Sequence, residues 1–302
     1  MYRTFVILRH TFREAIVQPI FSLILGLGAA IMVIFGYLPF FTLGEDTVMF
    51  MSVGLDVILL LVLIATLFAT SKSIFDEIED RTMLTLMSKP VARWEVIVGK
   101  YLGIVLAAFL AVAVLGGVMC LATWLRIPTD YQIQSRSLDD RELYELYSYR
   151  IMHISGLVPS LFMVWLEICA LAAVGVALST RFSLVVNLPI VIFVYIAGNL
   201  TRFLFPLSGS DAVMRDRSIA IKFIAAVVRS VLPALGIFDL KARTIHSRLA
   251  VKQFASDPNA VHLSTIWGYV GLSTAYAIAF AAFALAVGMW LFQSRELGGA
   301  EG

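Results

Sequence analysis

The chain has 302 residues, of which 60% are hydrophobic and 15% charged, well outside the roughly half apolar and quarter charged of a water-soluble domain, and its mean hydropathy of +0.89 agrees. A formal net charge of +2 offers nothing for nucleic acid to bind. Its two cysteines, Cys120 and Cys169, both fall in apolar runs, which argues against a disulfide framework and leaves packing as their role.

Taken in order, residues 1–18 read as a helix lying along the membrane surface. Tyr2, Phe5, Val6, Phe12 and Ile16 share one face, while Arg3, Arg9 and Arg13 stand apart and suit anionic headgroups. The apolar run that follows is too long for the core of a signal peptide, and no small-residue cleavage site stands near it. A helix needs about 20 apolar residues to cross a hydrocarbon layer of about 30 Å. Six stretches qualify: about 19–41, 51–71, 101–125, 157–179, 183–205 and 265–293. Only Thr180 and Arg181 separate the fourth and fifth, which predicts a tight helical hairpin. Pro159 falls near the start of the fourth, where proline is tolerated, and Pro189 falls inside the fifth, where it predicts a kink. The last stretch carries Gly268, Gly271, Ala275, Ala279, Ala282 and Ala286, small residues that permit close helix approach. The expected fold is therefore an all-α integral membrane protein, a single transmembrane domain over 1–302.

Residues 72–100, between the second and third stretches, form the most distinctive segment. Acids open it (Asp76, Glu77, Glu79, Asp80) and bases close it (Lys89, Arg93, Lys100), the order a helix dipole favours. Ile74, Ile78, Met83, Leu86 and Met87 give it an apolar face at helical spacing, which a mere connector does not need. Pro90 breaks the helix, and a second short helix, Arg93 to Lys100, leads into the next span.

Two long polar loops follow, 126–156 and 206–263. In the first, Ser137 and Asp140 resemble a capping box that starts a helix from about Leu138 to Tyr149. It reads as a cap over the membrane, with Tyr144, Tyr147 and Tyr149 open to a role at a substrate entrance. In the second, Ile219 to Leu232 is short for a span and reads as interfacial or re-entrant, and IFDLKARTIHSRLAVKQF (237–254) reads as a basic helix.

Lys and Arg are more numerous in these two loops than on the opposite side, against placing both termini in the cytoplasm. The orientation rule, however, weights short loops near span ends. The first outer loop (Gly44, Glu45, Asp46) has no base, whereas the N-terminal segment has three, so both termini are expected inside.

Several chemistries find no support. The sequence has no phosphate-binding G-x-x-x-x-G-K-[ST] loop, no H-E-x-x-H and no G-x-S-x-G elbow, and its four histidines are scattered. Ionisable residues within spans are costly and so draw attention. Glu167 lies near the middle of the fourth, and Asp56 nearer a span end. Asn187, Asn199 and Arg202 are milder polar candidates on the fifth. Glu167, Asn187 and Asn199 are candidates for a translocation pathway, with helix–helix pairing as the alternative role.

The segment after Ser73 resembles the coupling loop of type-2 ATP-binding-cassette (ABC) permeases. It presents Phe75, Glu77 and Glu79, then Thr82, Leu84 and Leu86, then Ser88, Pro90, Val91, Arg93, Glu95, Gly99 and Lys100 in that family's order, with Arg81 where relatives often carry glycine. Leu232, Pro233, Phe238, Asp239 and Leu240 resemble the subgroup of nitrous-oxide-reductase maturation and gliding-motility permeases. The resemblance implies a non-enzymatic, multi-pass subunit of a bacterial inner membrane and a second permease copy. It also implies a separate ATP-binding subunit, carrying ATP and Mg, docked on a cytoplasmic coupling helix through Glu77, Glu79, Arg81, Thr82, Pro90 and Arg93. Short helices before the last span would form an outer gate. Two other readings stay open, an ion-coupled secondary transporter and a membrane scaffold without a pathway.

Overall fold

The computed structural model describes residues 2–38, 46–77, 92–130, 140–204, 233–251 and 258–293. The elements are α1 (Tyr2–Val17), α2 (Pro19–Tyr37), α3 (Asp46–Thr70, prolonged by a wider π-helical turn over Ser71–Asp76), α4 (Arg93–Asp130), α5 (Asp140–Ser179), α6 (Leu184–Leu204), a 3-10 turn at Leu235–Ile237, the single helical turn α7 (Lys241–Thr244) and α8 (Leu263–Gln293). Among the described residues the only β contact is an isolated bridge between Leu249 and Val261. The predicted all-α membrane fold is what is found. Helices α2, α3, α4, α5 and α8 are long and apolar enough to cross a membrane, and α6 is a shorter apolar helix over Leu184–Leu200.

The bundle is organised around α5. In its most apolar window 72% of residues are buried, against 22% in α2 and 33% in α8, so α5 is the central helix and the other two are peripheral. One side of α5 (Leu157, Val164, Ile168, Ala172) joins a core built with α3 and α4. Its other side (Met152, Met163, Leu166, Leu171) joins a second core with α8 and the segment after Pro233.

Three sequence expectations are revised. The cap helix and fourth span are one unbroken helix of 40 residues, with Pro159 in its interior rather than near its start. A proline there removes one ladder bond and frees a carbonyl, but packing on both sides of α5 outweighs that cost. Likewise the short helix at Arg93–Lys100 runs without a break into the third span as α4, 38 residues long. Of the basic helix expected over 237–254, the described part (237–251) holds only the four residues of α7, and 252–254 lie outside the described residues. Local propensity loses there to tertiary contact: Phe238, Leu240, Thr244, Ile245 and Leu249 are all buried. Thr244 Oγ1 lies 2.7 Å from Ser160 Oγ on α5, and Gly156 of α5 approaches the Thr244 carbonyl so closely that any side chain at 156 would overlap it. The Ile219 to Leu232 segment lies outside the described residues.

Helix α1 packs along the start of α4. Gly99 and Gly103, one turn apart, let it in: a Cβ at 103 would stand 2.7 Å from the Leu8 carbonyl oxygen and 2.8 Å from Thr11 Cβ. The buried face of α1 is therefore Thr11 and Ala15, while the apolar Tyr2, Phe5 and Val6 are exposed, as a helix facing lipid on its outer side requires.

At the far end of the bundle, Arg126 of α4 ties the end of α2 to the start of α3. Its Nη1 donates to the carbonyls of Phe35 (3.0 Å), Gly36 (3.0 Å) and Leu38 (2.9 Å), and its Nη2 lies 3.6 Å from Asp46 Oδ2. The guanidinium thus satisfies the terminal carbonyls of α2 and faces the acid that opens α3. Arg126→Gln should cost about 2 kcal/mol, the scale of hydrogen bonds to a charged group, read as a lower melting temperature in detergent. Arg126→Lys should recover less than half, because an ammonium cannot reproduce the fork.

Candidate functional site

Of the residues expected to dock an ATPase, Glu79, Arg81, Thr82 and Pro90 lie outside the described residues. Glu77 and Arg93 stand at the two edges of that segment, and both already have partners. The hydroxyls of Thr66 and Thr70 bond back to Leu63 O (2.7 Å) and Leu67 O (2.8 Å). Directly after them α3 widens into its π turn, a feature that often accompanies function. Glu77 follows that turn, and its Oε1 lies 2.7 Å from Lys100 Nζ. Lys100 is buried, and its ammonium also donates to the Ser73 carbonyl and, at 3.0 Å, to Ser73 Oγ. Arg93 stacks its guanidinium over the Phe292 ring at 5.5 Å, joining the start of α4 to the end of α8. The Ala92 N–H donates to Glu95 Oε2 at 3.2 Å, the returning half of a capping box that fixes where α4 begins.

The helix leaving toward residues 78–91 and the helix returning from them are therefore tied together by a buried lysine. Lys100 was not among the docking residues expected from the sequence. The signal for it was a base immediately before the apolar stretch 101–125, which needs an acid close by. Beside this junction a groove of about 660 Å³ opens between the start of α2 (Gln18, Leu23), the end of α3 (Phe68, Lys72) and the α5–α6 turn (Ser183, Val185).

The expected pathway residues separate into two places. Asn187 is buried in the α5–α6 hairpin, where its Nδ2 donates to Gly175 O (3.1 Å) and Ser179 Oγ (2.7 Å). It holds two helices of one hairpin together. Glu167 and Asn199 come together instead: Asn199 Nδ2 donates to Glu167 Oε1 at 3.4 Å and to Tyr195 O at 3.1 Å. Both line a cavity of about 200 Å³ with Asp56, Tyr195 and Lys241. Lys241 Nζ meets Asp56 Oδ1 at 2.5 Å, joining α7 to α3 across 185 residues of chain. Sequence reading flagged Asp56 and Glu167 separately, but Lys241 was hidden in the supposed basic helix.

Of the three tyrosines at the start of α5, Tyr147 packs edge-on against Trp124 of α4 at 6.4 Å, and Arg150 stacks over the same indole at 4.7 Å. This contact clasps the far ends of the two longest helices. Tyr144 is exposed and Tyr149 packs against the second core. Among the described residues no group of three or more His, Cys, Asp and Glu is placed to hold a metal ion.

The described residues thus form a multi-pass bundle with a charged helix–helix junction at one end and a separate small polar cavity lined from α3, α5, α6 and α7. Comparison with curated proteins gave no match. Residues 6–297, nearly the whole chain, match the family described as ABC-2 family transporter protein, and the chain belongs to that family.

Proposed function

We propose that this chain is the permease subunit of an ATP-binding-cassette transporter, and that a separate ATPase subunit, carrying ATP and Mg, docks on the segment between Glu77 and Ala92. The observation that carries this reading is the family match over residues 6–297. The Glu77–Lys100 junction supports the docking site, because it joins both ends of that segment to the bundle. Glu79, Arg81, Thr82 and Pro90 would present the surface, with Glu77 and Arg93 anchoring its edges. Both termini and this surface face the cytoplasm of a bacterial inner membrane, and transport runs outward, past Glu167 and Asn199. Two copies form the pathway. In support of pairing, Gly268, Gly271, Ala275, Ala279, Ala282 and Ala286 are all exposed along α8, so the close approach they permit is not used within one chain.

Copurification from native membranes in mild detergent tests the proposal. A stoichiometric ATP-binding-cassette subunit with vanadate-sensitive ATPase activity is expected, and Glu79→Lys should cut its recovery at least tenfold while the permease stays folded. An intact chain that brings no ATPase would instead favour an ion-coupled transporter centred on Glu167.

A further inference from the structure

The cavity below α7 has an unusual division of charge. Its acids on the bundle are Asp56 of α3 and Glu167 of α5, and Asp239 stands at its rim. The one base among the described residues that line it is Lys241, and Lys241 belongs to a short turn laid across the bundle rather than to a spanning helix. Access falls from mouth to floor: the Asp56 side chain is 54% exposed, that of Lys241 21%, and Glu167 only 6%. Tyr195 and Phe238 supply aromatic wall. Lys241 is held from behind, because its own N–H donates to Asp239 Oδ1 at 3.2 Å and Thr244 anchors the turn to Ser160.

The ion pair itself adds little stability, since an acid exposed to this degree is well screened by water. A weak, half-wet ion pair is poorly suited to holding a fold together and well suited to opening. Without the amine, what remains is an acid-lined space with aromatic walls, open to solvent at one end. Those are the features that recognise an ammonium group, by charge and by attraction to the ring faces.

We propose that Lys241 is a tethered occupant of an ammonium-binding site, and that its ion pair with Asp56 is a latch opened when a small organic cation takes the amine's place. The inference rests on the permease reading only in making the cavity a stage of the pathway. The site itself can be tested without any ATPase partner, so loss of one conclusion leaves the other standing.

The test uses the full chain in lipid nanodiscs, where both faces meet solution, with Cys120 and Cys169 replaced by alanine and Val164, on the cavity wall, changed to cysteine. Thiol modification is timed with a cationic trimethylammonium methanethiosulfonate and with its anionic sulfonate counterpart. With Lys241 present, both reactions should be slow. Lys241→Gln should speed the cationic reagent at least tenfold and leave the anionic one at least tenfold slower than the cationic. Tetramethylammonium should protect the cysteine in that variant. The paired exchange Asp56→Lys with Lys241→Asp should restore slow modification. Lys241→Met, which keeps the apolar stem, should behave as Lys241→Gln does and serves if the amide disturbs packing. Equal rates for the two reagents, or no acceleration in either Lys241 variant, would overturn the proposal.

Discussion

Lys100→Met is expected to destabilise the protein by about 2–3 kcal/mol, lowering its melting temperature by roughly 5–10 °C. The substitution keeps the apolar stem but leaves the Glu77 carboxylate, whose side chain is 26% exposed, facing a site built for an ammonium, and strips the Ser73 carbonyl and hydroxyl of their donor. Removing one member of a fully buried pair costs about 3–5 kcal/mol, and the partial exposure of Glu77 places this case below that range. The double variant Lys100→Met with Glu77→Gln should melt closer to the parent than Lys100→Met alone, because no charge is then stranded. With the partly exposed Cys120 replaced by alanine, the buried Cys169 thiol gives a direct readout, becoming reactive to a fluorogenic maleimide as the bundle opens. A double variant that melts no higher than the single one would show that the hydrogen bonds to Ser73, not the charge pair, hold the junction. In complex with the ATPase subunit proposed above, the stable double variant should leave ATP hydrolysis under weaker control by the permease, since the two ends of the proposed docking segment would no longer move as one.

Gly103→Leu should detach α1 from the bundle without unfolding the bundle itself. A Cβ at that position meets backbone, the Leu8 carbonyl oxygen at 2.7 Å, and the backbone of a helix cannot yield as the tip of a side chain can. Overpacking of this kind costs about 1–3 kcal/mol in well-packed cores, and here the strain falls on one peripheral interface. Trypsin should therefore cut after Arg9 and Arg13 at least tenfold faster in the variant, while the melting of the remaining helices changes little. Gly117→Leu is the matched control: nothing lies within 4 Å of a Cβ there, so it should leave both readouts unchanged. Equal protection of α1 in both variants would mean that the glycine contact does not retain it.

The apolar helices were legible in the sequence because lipid demands long apolar runs and little else competes with that signal. The family was legible too, from the charge order and dense motif after Ser73, although residues 78–91 themselves lie outside the described residues. What could not be read was how far each helix continues. Pro159 normally marks a boundary, yet α5 passes through it because Met152, Leu157, Met163 and Val164 on either side of it are buried in the two cores. The stretch from Ile237 failed in the opposite direction, since its helical composition is overridden by contacts with Gly156 and Ser160, over 80 residues away in the chain. Glu167 and Asp56 drew attention individually as intramembrane acids, but neither Lys241 nor the meeting of Glu167 with Asn199 has a signature along the chain. Lys100 lay in plain view within the motif; its burial, which gives it its role, is a property of the packed helices.

The continuity of α4 and α5 has a mechanical consequence. At 1.5 Å per residue, helices of 38 and 40 residues are rods about 57 and 60 Å long, roughly twice the thickness of the hydrocarbon layer. The helix of α5 continues through Pro159, and the contact of Trp124 with Tyr147 and Arg150 fastens the two rods to each other toward their far ends. A pair of stiff rods pivoting within the bilayer acts as a lever: a tilt of about 5° carries each tip through roughly 2–3 Å. A displacement imposed at Arg93 and Lys100 would thus reappear, equal and opposite, at the far ends of α4 and α5 on the other side of the membrane.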